Sequence, residues 1–347
     1  MKYVTRVERV GEILAERKFF KLVCGAGNDD PVEVKRLSMV YTLAGATAID
    51  VSANPLIVKS ARDGITSALR IKDGDEVLPC HEDFLRVRHF APFVMVSLGL
   101  EGDPHIRKAN IDLSRCTTCG LCFPICEQKA IDFWEDSYIT TQKRCIGCGK
   151  CADVCPSDAI IFTDTKRDIY KTVAECLNFG AEMVELHAAT PDFDIEEWKI
   201  IHEAVSHNYI SLSLDRGTLS NKKLLSRIHA THAIRGKMMM VQADGVPMGG
   251  GKNDMNTTLQ AIATADIVIK SGIPVPVLAS GGTNSLTRAL ADICGVPING
   301  VSLGTFARKE VHRFISLPDF EENPDAIRGA VNAATDLVKR NIGCGKP

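Results

Sequence analysis

Eight times along this chain a short apolar run alternates with a stretch whose apolar residues recur at helical spacing. The apolar runs are KLVCGAG (21–27), AIDVSAN (48–54), FVMVSLG (93–99), MVELHAA (183–189), ISLSLD (210–215), KMMMVQAD (237–244), PVPVLASGG (274–282) and INGVSLGT (298–305). Segments such as PVEVKRLSMVYTLAG (31–45), EEWKIIHEAVSHN (196–208) and NTTLQAIATADIVIKSG (256–272) lie between them. Near-continuous apolar strands separated by amphipathic helices predict a parallel sheet covered on both faces. Eight consecutive units are what a (β/α)8 TIM-type barrel requires, so the expected fold class is α/β of that kind. A doubly wound open sheet is the alternative. The glycine-rich ends of the last two units favour the barrel.

The alternation is broken once, after the third strand. CTTCGLCFPIC (116–126) and CIGCGKCADVC (145–155) follow, each reading Cys-x2-Cys-x2-Cys-x3-Cys. Three closely spaced thiolates wrap one side of a [4Fe–4S] cube, and the fourth crosses to the other cluster. That logic assigns Cys116, Cys119, Cys122 and Cys155 to one cluster, and Cys145, Cys148, Cys151 and Cys126 to a second. Pro156 follows the last cysteine as in the bacterial pattern, while Glu127 replaces proline after Cys126. Zinc knuckles lack the third x2 step. The stretches AIDFWEDSYITT and AIIFTDT, one after each run, read as short closing strands. Residues 99–165 therefore resemble a bacterial two-cluster ferredoxin, inserted between barrel parts 1–98 and 166–347. Such an insertion lies on the C-terminal face of a barrel, where barrels carry their sites.

A net charge of −2 gives no electrostatic case for nucleic acid or an anionic membrane. The opening MKYVTRVERVGEILAERKFF is broken by charges and lacks the apolar region of a secretory signal. No apolar run approaches the roughly 18 residues of a membrane span. A cytoplasmic location is expected, where clustered cysteines read as metal ligands rather than disulfides. The scattered Cys24, Cys80, Cys176 and Cys294 are expected to be packed thiols, and Cys344 exposed. VERVGEILAER (7–17) reads as a helix plugging the barrel floor, and AIRGAVNAATDLVKRN (326–341) as a packing helix.

Strand ends supply the remaining candidates. ASGGTN (279–284) and LGTFAR (303–308) place Gly281, Gly282, Thr283, Asn284, Gly304 and Thr305 where barrels often bind phosphate through backbone N–H groups. A flavin or another phosphate-bearing ligand is the candidate there. The competing reading makes the glycines turn residues, with Thr283, Asn284 and Thr305 as helix caps. GVPMGGGKND (245–254) is an anion loop or a lid, and lacks the Walker A pattern. Asp50, Asn54, Glu185, His187, Asp215, Arg216, Gln242 and Asp244 also fall at strand ends. Glu185 and His187 face the same side of one strand. They read as an acid–base pair or, with more weight, as a hydrogen-bonded polar layer. The barrel interior below is expected to be apolar. His202, His229 and His232 fall on helices and read as surface or packing residues.

The two cysteine runs, VQADGVPMGGGKNDMNTTLQAIATADIV, PVLASGGTNSLTRALADICGV and GVSLGTFARKEV together resemble the LdpA family, the light-dependent period proteins of cyanobacteria. KLVCGAGNDD and YTLAGATAIDVSANP are similar too. The cysteine motifs are shared with all ferredoxins, so the segment from Gln242 to Arg308 is the specific part. The resemblance implies an iron–sulfur protein in redox sensing, with circadian-clock proteins as partners. Both cysteine runs are complete here, whereas the family often has a less regular first run. Three functions compete on the sequence: a redox sensor or electron carrier, a ferredoxin-fed barrel oxidoreductase with a flavin as candidate cofactor, and a scaffold with structural clusters. An organic ligand at the barrel mouth would single out the enzyme.

Overall fold

The computed structural model describes residues 5–71, 91–103, 106–164, 168–190, 193–246 and 254–343. Along the chain α1 (Arg6–Ala15) precedes β1 (Phe19–Val23), α2 (Pro31–Leu43), β2 (Ala48–Ser52), α3 (Pro55–Arg70) and β3 (Phe93–Gly99). A separate lobe follows: β4 (Arg107–Ile111), one-turn α4 (Cys122–Ile125), β5 (Ile131–Trp134), β6 (Ser137–Thr140), one-turn α5 (Lys150–Asp153) and β7 (Ile160–Asp164). The chain returns through α6 (Ile169–Asn178), β8 (Met183–His187), α7 (Ile195–Ala204), β9 (Ile210–Asp215), α8 (Asn221–Arg235) and β10 (Met239–Asp244). It ends with α9 (Met255–Lys270), β11 (Val277–Ser280), α10 (Thr287–Ile293), β12 (Gly300–Leu303), α11 (Thr305–Ile315) and α12 (Pro324–Ile342).

Strands β1, β2, β3, β8, β9, β10, β11 and β12 form a closed barrel in that order, and β12 returns to β1. Every neighbouring pair is parallel. The sheet is therefore closed, not the open doubly wound alternative. Closure brings Phe19 opposite Gly300. A Cβ at Gly300 would stand 2.3 Å from the Phe19 carbonyl oxygen, so the seam needs glycine. Helix starts follow local chemistry. Asp30, Asn54 and Asn323 cap α2, α3 and α12 with their side-chain oxygens, each just before a proline at the first helical position.

Residues alternate along each strand between the helix side and the barrel interior. The helix side is apolar: Phe20, Leu22, Ile49, Val51, Val94, Val96, Val184 and Leu186 pack under the helices. Inside, the floor is apolar as well. Phe19, Ala48, Phe93, Met95, Met183, Met240 and Leu278 form one cluster, and Val10 and Leu14 of α1 close it from below. The plug expected of α1 is thus observed, and burying each of its two apolar anchors contributes about 1.5–3 kcal/mol. Helix α12 packs along α2 and α11, as expected for the C-terminal segment.

The lobe contains two small antiparallel sheets, β4 with β7 and β5 with β6. The stretches expected to be strands supply β5, β6 and β7. Strand β4 (RKANI) was not foreseen, because it is polar and buries only Ala109. Glu135 and Asp136 turn the β5–β6 hairpin in left-handed conformations, φ 45° and 65°, the backbone sign of a type I′ turn. The long connection after α3, with Cys80, and most of the glycine loop after β10, with Lys252, lie outside the described residues, as does Cys344.

Candidate functional site

The eight motif cysteines sort crosswise. Cys116, Cys119, Cys122 and Cys155 line one small cavity of about 310 Å³, counting its open side. Cys126, Cys145, Cys148 and Cys151 line another of about 380 Å³. All eight are free thiols. Each run thus sends its last cysteine to the other run's cavity, the grouping read from the spacing. Backbone N–H groups point at sulfur in both. Thr118 N donates to Cys116 Sγ (3.4 Å) and Ala159 N to Cys155 Sγ (3.3 Å). Ala109 N donates to Cys145 Sγ (3.3 Å) and Ala130 N to Cys126 Sγ (3.2 Å).

The second cavity also contains an orphan. Thr140 lines it, and its buried Oγ1 finds no hydrogen-bond partner among the described residues. Burial pushes the Cys151 thiol up to about 12, and the neighbouring Cys148, Cys145 and Cys126 push it the same way. Burial likewise raises Cys148. Thiolates crowded in such a site need a bound cation, and metal binding drives the protons off. Among the described residues no three His, Cys, Asp or Glu side chains converge on a point suited to a single ion. A cube is held differently, by thiolates spread around it. The donors, the aimed N–H groups and the orphan hydroxyl all fit a [4Fe–4S] group.

The lobe sits on the barrel mouth through the β1–α2 loop and α11. Asp29 N donates to Lys143 O at 2.7 Å. Lys108 Nζ donates to Gly27 O and, at 2.7 Å, to Cys145 O. Lys108 also pairs with Asp29 at 3.3 Å, and Lys143 with Asp30 at 3.3 Å. Arg308 Nη2 reaches Gln128 Oε1 at 3.3 Å. Between Cys145 and Cys148 stands Ile146, which lines the second thiol cavity and the barrel-mouth cavity alike. The loop receiving it turns at Gly25, whose φ of 110° suits glycine.

The barrel-mouth cavity encloses about 680 Å³ including its opening. Asp50, Glu185, His187, Gln242, Asp244, Ser280, Gly281, Gly282, Thr283, Gly304, Thr305 and Arg308 line it. Below lies a polar layer, the preferred reading of Glu185 and His187, extended by Lys21 and serines into strands whose interior is expected to be apolar and is so only at the floor. Lys21, fully buried, reaches Asp50 Oδ2 at 3.0 Å and Glu185 Oε2 at 2.5 Å. Ser97 Oγ donates to Asp50 (2.7 Å) and Ser211 Oγ to Glu185 (2.7 Å). Gln242 Nε2 donates to Glu185 Oε1 (3.0 Å), and Gln242 Oε1 accepts from Ser302 Oγ (2.8 Å). Burial opposes the Lys21 ammonium, but Asp50 and Glu185 outweigh it and raise its pKa. Burial would also raise Glu185, yet Lys21 and then His187 hold its carboxyl well below the usual range. For Asp50 burial prevails and the pKa is raised.

His187 is gripped from two sides. Asp103 Oδ2 lies 3.0 Å from Nδ1 and Glu185 Oε1 lies 3.4 Å from Nε2. Burial alone would lower the imidazole; Asp103 and then Glu185 overcome it and hold the ring well above its ordinary range. Asp244 is half-buried, and desolvation raises its pKa although Ser213 Oγ donates to it. The arrangement can bind a ligand in the mouth against protonated and ionised groups at once.

Of the residues anticipated at strand ends, Asp50, Glu185, His187, Gln242 and Asp244 meet in this cavity. Asn54 instead caps α3 and bonds Asp29. Asp215 caps its own turn at Gly217 and Thr218, and Arg216 bonds Asn221. Gly281, Gly282, Gly304, Thr283 and Thr305 line the cavity, while Asn284 is buried and accepts from Leu286 N. Gly281 and Gly282 have φ of 62° and 84°, so turn geometry already calls for glycine. Thr305 opens α11 after an N-cap at Gly304 and is not itself the cap. Cys24 and Cys176 are buried as expected, but Cys294 is exposed, because it ends short α10 on its outer side. Sequence reasoning missed Lys21, Ser97, Ser211, Ser302 and Asp103. The first four were visible as polar residues on the inward register of otherwise apolar strands. Asp103 carries no such signal.

A closed parallel barrel with a paired four-cysteine lobe at its mouth defines the class, a TIM-type barrel protein with an iron–sulfur segment. Residues 109–162 match the 4Fe-4S dicluster domain, which makes this an iron–sulfur protein. Residues 177–340 match the Light dependent period A C-terminal domain. The chain is 27% identical over 376 residues to Light dependent period A of Synechococcus elongatus, covering 94% of this chain and 92% of that protein. The resemblance to the LdpA family is thereby shown. Among solved structures, a tryptophan synthase from M. tuberculosis covers 96% of this chain and 98% of its own at 12% identity and a TM-score of 0.46. An aldolase, QR15, covers 87% and 98% at 13% identity and a TM-score of 0.45. Likeness at that level carries no argument about what this barrel binds. No helix among the described residues is long and apolar enough to cross a membrane.

Proposed function

We propose that this chain is a redox-sensing or electron-transfer protein with two [4Fe–4S] clusters. Cys116, Cys119, Cys122 and Cys155 hold one, and Cys126, Cys145, Cys148 and Cys151 the other. The unit 99–165 is an insertion between barrel parts 1–98 and 166–347. What carries this reading is the crosswise grouping of the eight free thiols around two cavities. When bound, the clusters supply one-electron transfer. The residues around them aim N–H groups at sulfur and fix the lobe on the barrel. The name of the relative supports a light- or clock-linked regulatory role, with clock proteins as partners.

A second reading is favoured by one observation, Ile146. A ligand in the barrel mouth would lie one side chain away from the second thiol cavity. On that reading the chain is an oxidoreductase fed by its own lobe, with a flavin or another phosphate-bearing ligand near Gly281, Gly282, Thr283, Asn284, Gly304 and Thr305. One experiment addresses both. Protein purified without oxygen is assayed for iron and acid-labile sulfide, then precipitated and the supernatant spectrum taken. About eight irons and eight sulfides per chain are expected. A reproducible value near four removes the second cluster. A yellow chromophore in the supernatant decides for the oxidoreductase, and a colourless one for the carrier or sensor.

A further inference from the structure

The lobe has two unlike ends. Three of its lysines turn to the barrel, where Lys108 and Lys143 meet Asp29 and Asp30 and Lys129 meets His312 at 2.9 Å; Arg107, Arg144 and Lys150 are held within the lobe, and Arg115 is exposed beside Cys116. The far end is apolar and acidic. Leu121, Phe123 and Phe133 are 51%, 50% and 54% exposed there. Phe123 and Phe133 both pack on Tyr138, with ring centroids 6.1 and 4.9 Å apart. Tyr138 itself lines the cavity of Cys116, Cys119, Cys122 and Cys155. At the hairpin tip beside them, Glu135 and Asp136 are exposed and take part in no ion pair among the described residues.

Large apolar side chains gathered at one exposed place mark an interaction surface. Two features of the surface say what covers it. It lies directly over four thiols proposed to hold a cluster, one of them, Cys119, exposed. At the hairpin tip its rim carries the carboxylates of Glu135 and Asp136, in no ion pair among the described residues. The geometry points to a docking surface for a redox protein whose cofactor edge is apolar and ringed by lysine or arginine. Weak electron-transfer complexes bury little area and depend on charge complementarity for their rate. The exchange is a single electron, lost by one protein and gained by the other, with no bond made or broken. The inference rests on the two-cluster reading and gives it a polarity. Electrons are exchanged with other proteins at the Cys116 set, while the Cys126 set faces the barrel mouth.

The test uses the full chain, reduced without oxygen, with a lysine-ringed c-type cytochrome as oxidant. Ferricyanide, which needs no docking surface, is the control. Wild type is compared with Phe133→Ser and with the Glu135→Gln, Asp136→Asn pair, at low and high salt. Asparagine tolerates the left-handed backbone at 136. Oxidation by the cytochrome is expected to slow by about tenfold in the charge pair at low salt and to converge with wild type at high salt. Phe133→Ser should slow it at both salts. Oxidation by ferricyanide and the iron content should be unchanged. Equal cytochrome rates in all three proteins overturn the proposal. So does a wild-type dimer that Phe133→Ser dissociates, since a second copy then covers the patch. If ferricyanide bleaches nothing in any protein, the two-cluster reading itself has failed, and the docking surface falls with it.

Discussion

Asp103 Oδ2 stands 3.0 Å from His187 Nδ1. One residue lies where the chain leaves the barrel after β3, the other at the end of β8, where it has just returned. The pair ties the segment leading into the lobe to the first barrel strand after it and sets a charge at the edge of the mouth.

The charge on His187 makes stability depend on pH. Its folded pKa is raised by Asp103 and Glu185 against burial; half-buried Asp244 also lies near it, and the two interact favourably when both are charged. A raised pKa contributes stability that is complete below the unfolded value, about 6.5, and is lost as pH rises through the folded value. The melting temperature should therefore fall from neutral into alkaline pH. His187→Gln should flatten that slope, as followed by circular dichroism across the range. Parallel slopes in the two proteins would remove His187 from the linkage.

Lys21 neutralises Asp50 and Glu185, and all three side chains are buried. Removing one partner of a buried ion pair costs about 3–5 kcal/mol, because the other charge stays buried. Lys21→Met should lose about that much in urea unfolding. Adding Glu185→Gln should recover part of it. A loss below about 1 kcal/mol would mean that water reaches the layer.

Thr140 offers the second thiol set a hydroxyl with no other partner among the described residues. A donor to cluster sulfur stabilises the more negative, reduced form and raises the reduction potential. Thr140→Val should lower the potential of one of two signals in a redox titration followed by electron paramagnetic resonance. Thr140→Ser should restore it. If neither signal moves, the hydroxyl points away from the cluster.

The crosswise grouping is tested by Cys155→Ser. It lies in the second run, yet it should strip iron from the first set, leaving about four irons per chain. Cys126→Ser should do the converse. Spectra that pair each cysteine with its own run would overturn the assignment.

The barrel was legible because its strands are apolar on the helix side throughout, and that pattern survives any single exception. The cysteine grouping was legible because loop length leaves little choice. The polar layer was harder to read. Lys21, Ser97 and Ser211 sit among apolar neighbours, and only the closed sheet shows that their inward faces converge. Asp103 lies in a loop whose direction is set by the lobe, so no local pattern marks it. Ile146 reads as filler between two cysteines until the lobe is seen seated on Gly25.

Strand β1 has β2 on one side and β12 on the other, so Phe19 waits for Gly300. During synthesis the barrel stays an open sheet until the last strand leaves the ribosome. The lobe needs only residues 107–164 to pair its strands. At about 5–20 residues per second, its sequence is complete on the order of ten seconds before β12 is made. The thiols are thus brought together while the ring is still unsealed, and the last turn of the barrel closes beneath a lobe already formed.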